Sequence, residues 1–405
     1  YLAQLRVDLA SAPDEKTLWE RVQSEFLLEP GLMHFNNGSI GSTPRPIVEA
    51  HKAYIERFEA DAYRHAWSGF SDKRLADVTP KAARFLNADS NEILLTRNTT
   101  EGMNLVATGI RLQAGDEILT TDHEHAGGIN CWHHMAQMQD VVVKKIHLPD
   151  PVTSKAEILE RVEDGITPRT RVCSFSHLTT TTGLIMPMAE IAQITRPKGI
   201  LLVCDGAQAP GMLDVDVGKL MVDAYASSSH KWMLAPKGSG LLYVRKEAQD
   251  RIRPVAAYAS VGSQYAAYSG SVGTRNTPML LAHGDTMDFH NVLGRDRVEA
   301  RTRQLTRYLR QQLSTIPSLT PVTPDDPELS AAMTSYTVEG LASVSGLFSE
   351  LKKRHINVKS TGYSSVVLGI QVPVSNVRVL RLSTHIYNSE SQIDRLAEAI
   401  RDIIW

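Results

Sequence analysis

The 405-residue chain contains only three cysteines, Cys131, Cys173 and Cys204. So few, and an odd number, argue against a disulfide framework, although they do not fix the compartment. Charge of one sign is also missing: the formal net charge is -2, so no basic excess exists to neutralise a phosphate backbone. No apolar run approaches the roughly 18–20 residues needed to span a bilayer. Internal repeats and low-complexity tracts are absent too. Nucleic acid and membrane are therefore not expected partners. An initiator Met is lacking at Tyr1, so a segment upstream, with any targeting signal, is expected to have preceded it.

What is present is an ordinary globular composition, 42% hydrophobic and 22% charged, over a length that suggests two or three domains. Residues 13–28 read as a helix. The stretch FNNGSIGSTPRP (35–46) is broken by glycine and proline and fits no regular element. From there strand-like and helical patterns alternate, with strands near 92–95, 116–120, 141–146, 172–178, 199–208, 223–232 and 240–245. The run at 199–208 begins continuously apolar, the mark of a strand buried on both faces of a parallel sheet. Helices are expected near 46–60, 72–87, 101–109, 127–138 and 188–195. After about residue 285 the texture changes: a long amphipathic helix over 295–314, short strands near 333–338 and 366–371, and a final helix over 389–404. The fold class is α/β, with a smaller α+β unit closing the chain.

Four motifs carry the chemistry. In SSSHKW (227–232), Lys231 follows a strand and has Ser228 and His230 beside it as anion-binding donors. A lysine is ordinarily a solvated surface residue; the alternative is an amine with a lowered pKa that forms a Schiff base. In CDGAQAPG (204–211), Asp205 falls at the C-terminal end of a buried strand, where open α/β sheets bind ligands. It reads either as a turn or cap residue or as the partner of a protonated ring nitrogen, with Gln208 nearby as a donor to a ring oxygen. In TRNTTEGMN (96–104), Thr99 and Thr100 open a helix, either as plain caps or as part of a phosphate site. In TDHEHAGGINCW (121–132), His123 or His125 is a candidate to stack on a planar cofactor. A metal pair is the competing reading, but it lacks a third and fourth ligand.

Occurring together and in this order, these motifs resemble the class V aminotransferase family of fold-type I enzymes dependent on pyridoxal 5'-phosphate (PLP), and within it the isopenicillin N epimerase-like branch. The resemblance runs from FNNGSIG to RLSTHIYNSESQIDRL (381–396) and includes GTRNTP (273–278). It implies a large PLP-binding domain (40–285) with a mostly parallel sheet of the seven-stranded type. A smaller C-terminal domain (286–405) follows, and residues 1–39 pack with it. It further implies that Lys231 carries PLP as a Schiff base and moves protons, Asp205 binds the pyridinium nitrogen, and Gln208 contacts the phenolic oxygen. Thr99, Thr100, Ser228 and His230 would hold the phosphate, and Thr274 would reach the phosphate of a neighbouring subunit, hence a homodimer. The stacking and catalytic ring is His125, with His123 as the alternative. Arg381 would receive the substrate carboxylate, with Asn37 also at the substrate.

Two departures narrow the expected activity. Cysteine desulfurases need a nucleophilic cysteine in the C-terminal half, and all three here precede Lys231. In SHLTTTTGLIMP (176–187), Thr180 stands where desulfurases have an asparagine. The persulfide route is therefore not expected. The branch resembled includes periplasmic enzymes of pyoverdine maturation. The expected substrate is then the N-terminal glutamate of that siderophore precursor, converted toward a succinamide in the periplasm. The alternatives are epimerisation, C–S lysis or transamination of a free amino acid or small peptide, and a cytoplasmic location.

Overall fold

The computed structural model describes residues 2–66, 73–253, 274–339, 344–363, 366–367, 370–371 and 377–404. After a short strand β1 (Met33–His34), seven strands form the central sheet: β2 (Ile93–Thr96), β3 (Glu117–Thr121), β4 (Val142–Ile146), β5 (Thr170–Ser176), β6 (Leu201–Asp205), β7 (Ala224–Ser228) and β8 (Gly240–Val244). Their spatial order is β2-β8-β7-β6-β5-β3-β4. Only β8 runs antiparallel to its neighbours β2 and β7; the other pairs are parallel.

Side-chain alternation explains why β6 is apolar throughout. Leu202 and Cys204 point into one core, and Leu201 and Val203 into another across the sheet. The first core is closed by the helices Lys73–Leu86, Lys155–Gly165 and Met188–Thr195. The second is closed by Thr99–Gly109 and Ala126–Gln139, whose Met103, Val106, Trp132 and Met135 are buried. Trp132 satisfies its indole N–H by donating to Ser174 Oγ at 2.8 Å.

The C-terminal part builds an antiparallel sheet from β9 (Leu319–Pro321), β10 (Met333–Val338), β12 (Lys359–Tyr363) and β15 (Val377–Ser383), ordered β12-β15-β10-β9. Between them β11 (Ile356–Asn357) pairs with β1, and β13 (Val366–Val367) with β14 (Ile370–Gln371). The helices Arg295–Leu313, Val344–Lys353 and Glu390–Ile404 cover this sheet through Leu305, Leu309, Leu347, Leu351, Leu396 and Ile400. Beyond β1, Asn36 bridges to Ser383, so the turn-rich segment runs beside β15.

Several expectations shift. The helix expected over 13–28 spans only Glu15–Ser24, opened by Asp14, whose carboxylate accepts from the Thr17 N–H at 2.7 Å. Helices Leu2–Ala10 and Thr277–Leu293 were not anticipated. The latter buries residues on every side, among them Leu280, Ala282, Met287 and Phe289, and so lacks the one-sided stripe that reveals a helix in sequence. Leu5, Leu18, Trp19 and Val22 of the N-terminal helices pack on Phe289 and Leu293 of that helix and on Ile386 and Tyr387.

Gly206, directly after β6, lets the chain pass the Tyr225 ring: a Cβ there would lie 2.1 Å from ring carbons. Tyr225 is itself fixed, 2.9 Å from His177 Nδ1. Gly206→Ala should therefore destabilise the protein by about 1–3 kcal/mol. A chemical denaturation midpoint equal to that of the parent would contradict this packing.

Candidate active site

The site lies at the C-terminal ends of β3, β5, β6 and β7. Asp205 ends β6 and is buried, with its Oδ1 accepting from the Ala207 N–H at 2.9 Å. Burial pushes its carboxyl above the usual aspartate range; that backbone N–H, Lys231 and His125 pull the other way. Lys231 sits three residues beyond β7, its N–H donating to Ser228 O at 3.2 Å. Burial lowers its amine from 10.5 to about 8; Asp205 opposes the shift and Arg381 adds to it. The two cations and one anion feel one another, and the lysine is brought into the range of a working nucleophile and base.

Close backbone approach makes this juxtaposition possible. A Cβ on Gly41 would fall 2.2 Å from the Lys231 carbonyl oxygen, and one on Gly128 would fall 2.3 Å from Asp205 Oδ2. Gly128 stands in the first turn of the helix Ala126–Gln139. That helix is capped by His125, whose Nδ1 accepts from the Gly127 N–H at 3.0 Å. The cap leaves the proton of a neutral His125 on Nε2. Desolvation and then the charge of Lys231 hold its basicity down. His123 is placed elsewhere: buried, 3.1 Å from Leu148 O through Nε2, and beside Asp122 and Asp150. His125, and not His123, shares the site with Lys231 and Asp205.

On the anion-binding side, the helix Thr99–Gly109 points its N-terminus at β7. Asn98 caps it by accepting from the Glu101 N–H at 2.9 Å. Ser228 Oγ accepts from the Thr99 N–H at 3.0 Å and lies 2.8 Å from Thr99 Oγ1. These two hydroxyls share one proton between them and leave the other for an anion. Thr100 is exposed in the same turn, where a Cβ on Gly127 would approach its Oγ1 to 2.7 Å. His230 Nδ1 is 3.2 Å from Ser239 O. With that N–H committed to a carbonyl, Nε2 donates to a phosphate only as an imidazolium, which a bound dianion favours against the burial that depresses the ring's pKa. Thr274 is exposed, next to an Arg275 whose Nη2 donates to Leu95 O at 2.8 Å. Gly273 of the GTRNTP motif lies outside the described residues.

Gln208 has a different task from the one expected. Its Nε2 donates to Gly38 O at 2.8 Å and to Thr180 Oγ1 at 3.0 Å, and its Oε1 accepts from Trp232 Nε1 at 2.7 Å. Both amide hydrogens have acceptors, so a contact to a phenolic oxygen would have to displace Gly38 O or Thr180 Oγ1, just as a carboxylate at Arg381 would have to displace neutral acceptors of its Nη groups. Thr180 Oγ1 also accepts from Arg381 Nη1 at 2.9 Å, so the hydroxyl proton of Thr180 is the one left to donate. Arg381 is buried and holds no carboxylate among the described residues. Its Nη1 also donates to Thr180 O at 2.9 Å, and its Nη2 to Asn36 Oδ1 at 3.1 Å and Ser39 Oγ at 2.8 Å. Burial lowers even this guanidinium to about 10. Asn36, Ser39 and Thr180 thus position Arg381. The FNNGSIG turn signalled the first two only as a motif without a task. Asn37 is fully buried, its Oδ1 accepting from Tyr387 Oη at 2.8 Å and its Nδ2 left without a partner.

The residues present fit a planar, anionic, carbonyl-bearing cofactor. There is an amine of lowered pKa, a buried carboxylate for a ring nitrogen, a neutral imidazole to stack, a helix N-terminus with free hydroxyls, and an orphaned buried amide. Glycines clear the space between Thr100 and Asp205. No group of described residues is arranged to hold a metal ion. Fold and site together define an enzyme built around PLP. The chain belongs to the aminotransferase class V family, whose model matches residues 35–396. It is 34% identical over 408 residues to isopenicillin N epimerase of Amycolatopsis lactamdurans, covering 96% of this chain and 99% of that protein. An apo cysteine desulfurase from Thermococcus onnurineus superposes with a TM-score of 0.82 at 25% identity, over 95% of this chain and 98% of that one. A second solved structure, with glycine covalently linked to its PLP cofactor, superposes at 0.81 and 23% identity over 94% and 99% of the two chains.

The lowered amine sets a pH dependence. Borohydride trapping of pyridoxal on the apoprotein should accelerate as pH rises toward about 8, as Lys231 loses its proton, and then level off. Lys231→Ala should trap none and lack the near-visible Schiff-base band. A trapping rate still climbing steeply toward the ordinary lysine range would contradict the burial argument.

Proposed function

We propose that the protein moves the α-proton of an amino acid or peptide that keeps a free amine and a free α-carboxylate. The observation that carries this reading is the pairing of a depressed-pKa Lys231 with Arg381, a buried guanidinium free of any carboxylate among the described residues. When bound, PLP supplies an electron sink for negative charge developing at the α-carbon. The chain does the rest. Arg381 fixes the carboxylate and thereby the face presented to Lys231. Lys231 takes the proton from that face, and Asp205 keeps the ring nitrogen protonated; a proton returned by Lys231 restores the substrate, whereas inversion requires delivery to the opposite face by a second group or water.

Sulfur transfer through a persulfide is not supported. Cys131, Cys173 and Cys204 are all buried. Burial pushes the thiols of Cys131 and Cys173 up to about 12, and that of Cys204 well above its ordinary value. A nucleophilic cysteine needs the opposite, an accessible thiol of lowered pKa.

Epimerisation of a free amino acid or small peptide is the substrate reading favoured by the 34% identity to an isopenicillin N epimerase over 96% of the chain. Modification of the N-terminal glutamate of a pyoverdine precursor to a succinamide, in the periplasm, would release the α-carboxylate as CO2 and oxidise the α-carbon with O2 as co-substrate, and rests on motif resemblance alone. Incubation in D2O separates the readings. Epimerisation installs deuterium at the α-carbon with inverted product on chiral chromatography; the siderophore reading instead gives a mass change in the precursor. Failure to see either outcome across amino-acid and peptide candidates would overturn the proposal. Arg381→Met should raise KM for a carboxylate substrate by about 10- to 100-fold, the loss of one or two charged hydrogen bonds.

We also propose a homodimer in which the exposed Thr274 reaches the partner's phosphate site. Thr274→Ala should then lower PLP affinity several-fold without changing the dimer mass by light scattering. An unchanged affinity, or a monomeric parent, would refute the shared site.

A further inference from the structure

Glu124 is half-buried behind the site, with its carboxyl desolvated. Glu124 lies between His123 and His125 in the turn leaving β3. His125 faces Lys231, while Glu124 is directed inward. Its Oε1 accepts from Thr121 Oγ1 at the end of β3 at 2.8 Å, and its Oε2 from Ser176 Oγ at the end of β5 at 2.7 Å. Ser176 is the register partner of Asp205 across β5 and β6. Neither the proton transfer at Lys231 nor the carboxylate clamp at Arg381 uses Glu124.

We propose that Glu124 is a positioning residue whose charge sets how firmly Asp205 holds a proton on the cofactor's ring nitrogen. This deepens the PLP reading and rests on Asp205 facing that nitrogen. Two desolvated carboxyls that feel each other's charge, as Glu124 feels that of Asp205, cannot both ionise freely. Asp205 has a backbone N–H, Lys231 and His125 to favour its anion. Glu124 has two neutral hydroxyls, and the Asp205 charge works against it. Of the titratable groups around Glu124, Asp205 and Cys204 come from β6, and half-buried Lys145 comes from β4. Asp122, on the same turn, is directed instead at His147 Nδ1, 2.6 Å away, and at the Leu148 N–H. Lys145 in turn lowers the basicity of His133, which is not itself among the groups that shift Glu124. Burial, and then the Asp205 charge, push Glu124 up from 4.5 to about 7, with the two hydroxyl donors pulling it back.

The sign of the effect follows. Below about pH 7 Glu124 is neutral, and Asp205 alone faces the ring nitrogen. Above it a second negative charge stands behind Asp205, and a proton between Asp205 and the ring is held more firmly. PLP, bound with its ring protonated, gains affinity as Glu124 ionises.

Glu124→Gln tests this. Both hydroxyl partners can donate or accept, so the amide keeps both contacts while staying neutral at every pH. PLP dissociation constants of the parent and E124Q apoproteins are measured by fluorescence titration at about pH 6 and about pH 8, either side of the shifted Glu124. Comparing the two proteins at each pH cancels the cofactor's own titrations. Equal affinities at the lower pH and a several-fold weaker E124Q at the higher one are expected. A ratio that is the same at both pH values would show a merely structural cap and overturn the proposal. Ser176→Ala gives an independent arm. It removes a donor that favours the Glu124 anion, so the pH at which affinity steps up should move higher; a step that stays in place also overturns the proposal. Failure of the parent to bind PLP at either pH would sink the cofactor reading itself, and this inference with it.

Discussion

A carboxylate buried at the end of β6 is the constraint on which the rest of the structure turns. Removing an ion of this size from water costs several kcal/mol even after relaxation, unless charge and hydrogen bonds are returned to it. Asp205 receives one backbone N–H and the fields of Lys231 and His125. Each compensator has its own demand. Lys231 must be buried to reach Asp205, which depresses its amine. His125 must close the helix Ala126–Gln139 with its own ring, which fixes its tautomer. The reactivity of the lysine is thus a consequence of how the aspartate is accommodated.

Such a cluster is reached only because the backbone comes unusually close. Gly128 and Gly41 are positions where a single methyl would collide with Asp205 Oδ2 or with the Lys231 carbonyl. The turn through Gly41 also belongs to the segment that carries Asn36 and Ser39 to Arg381. Gln208 then joins that segment to Thr180 through Gly38 O and Thr180 Oγ1. Arg381 and the N-terminal turn are therefore one hydrogen-bonded unit, tied to the Lys231 loop where the Gly41 N–H donates to His230 O at 3.0 Å. It spans the central sheet and the C-terminal sheet, since Arg381 stands on β15 and Lys231 follows β7.

How much of this was legible in the chain depended on the range of the signal. The strands of the central sheet were readable because each is a short apolar run bounded by turn residues. Lys231 and Asp205 were readable because each follows such a run. The helix Thr277–Leu293 escaped because it is apolar on all sides. The task of Gln208 escaped for a different reason. Position in the motif placed its amide near the cofactor, but which acceptors take its two hydrogens depends on Gly38 and Thr180, 170 and 28 residues away along the chain. The choice between His123 and His125 was open for the same reason. The pattern H-x-H puts two rings on one turn, and only β4 and the Leu148 carbonyl decide which is drawn into the protein.

The same long-range logic bears on the comparison with the cysteine desulfurases that this chain resembles in fold. A fold shared at a TM-score of 0.82 does not transmit an activity whose nucleophile must come from an accessible thiol. Here the three thiols are spent on packing: Cys173 and Cys204 inside the core on one face of the sheet, and Cys131 within the helix Ala126–Gln139, its Sγ donating to the Gly128 carbonyl. What the site retains is charge control around a proton. An amine is made less basic by burial, a carboxylate raised by burial is drawn back toward its anion by a backbone N–H, Lys231 and His125, and a buried guanidinium is held by neutral acceptors alone. Proton movement at the α-carbon, as proposed above, would draw on these groups.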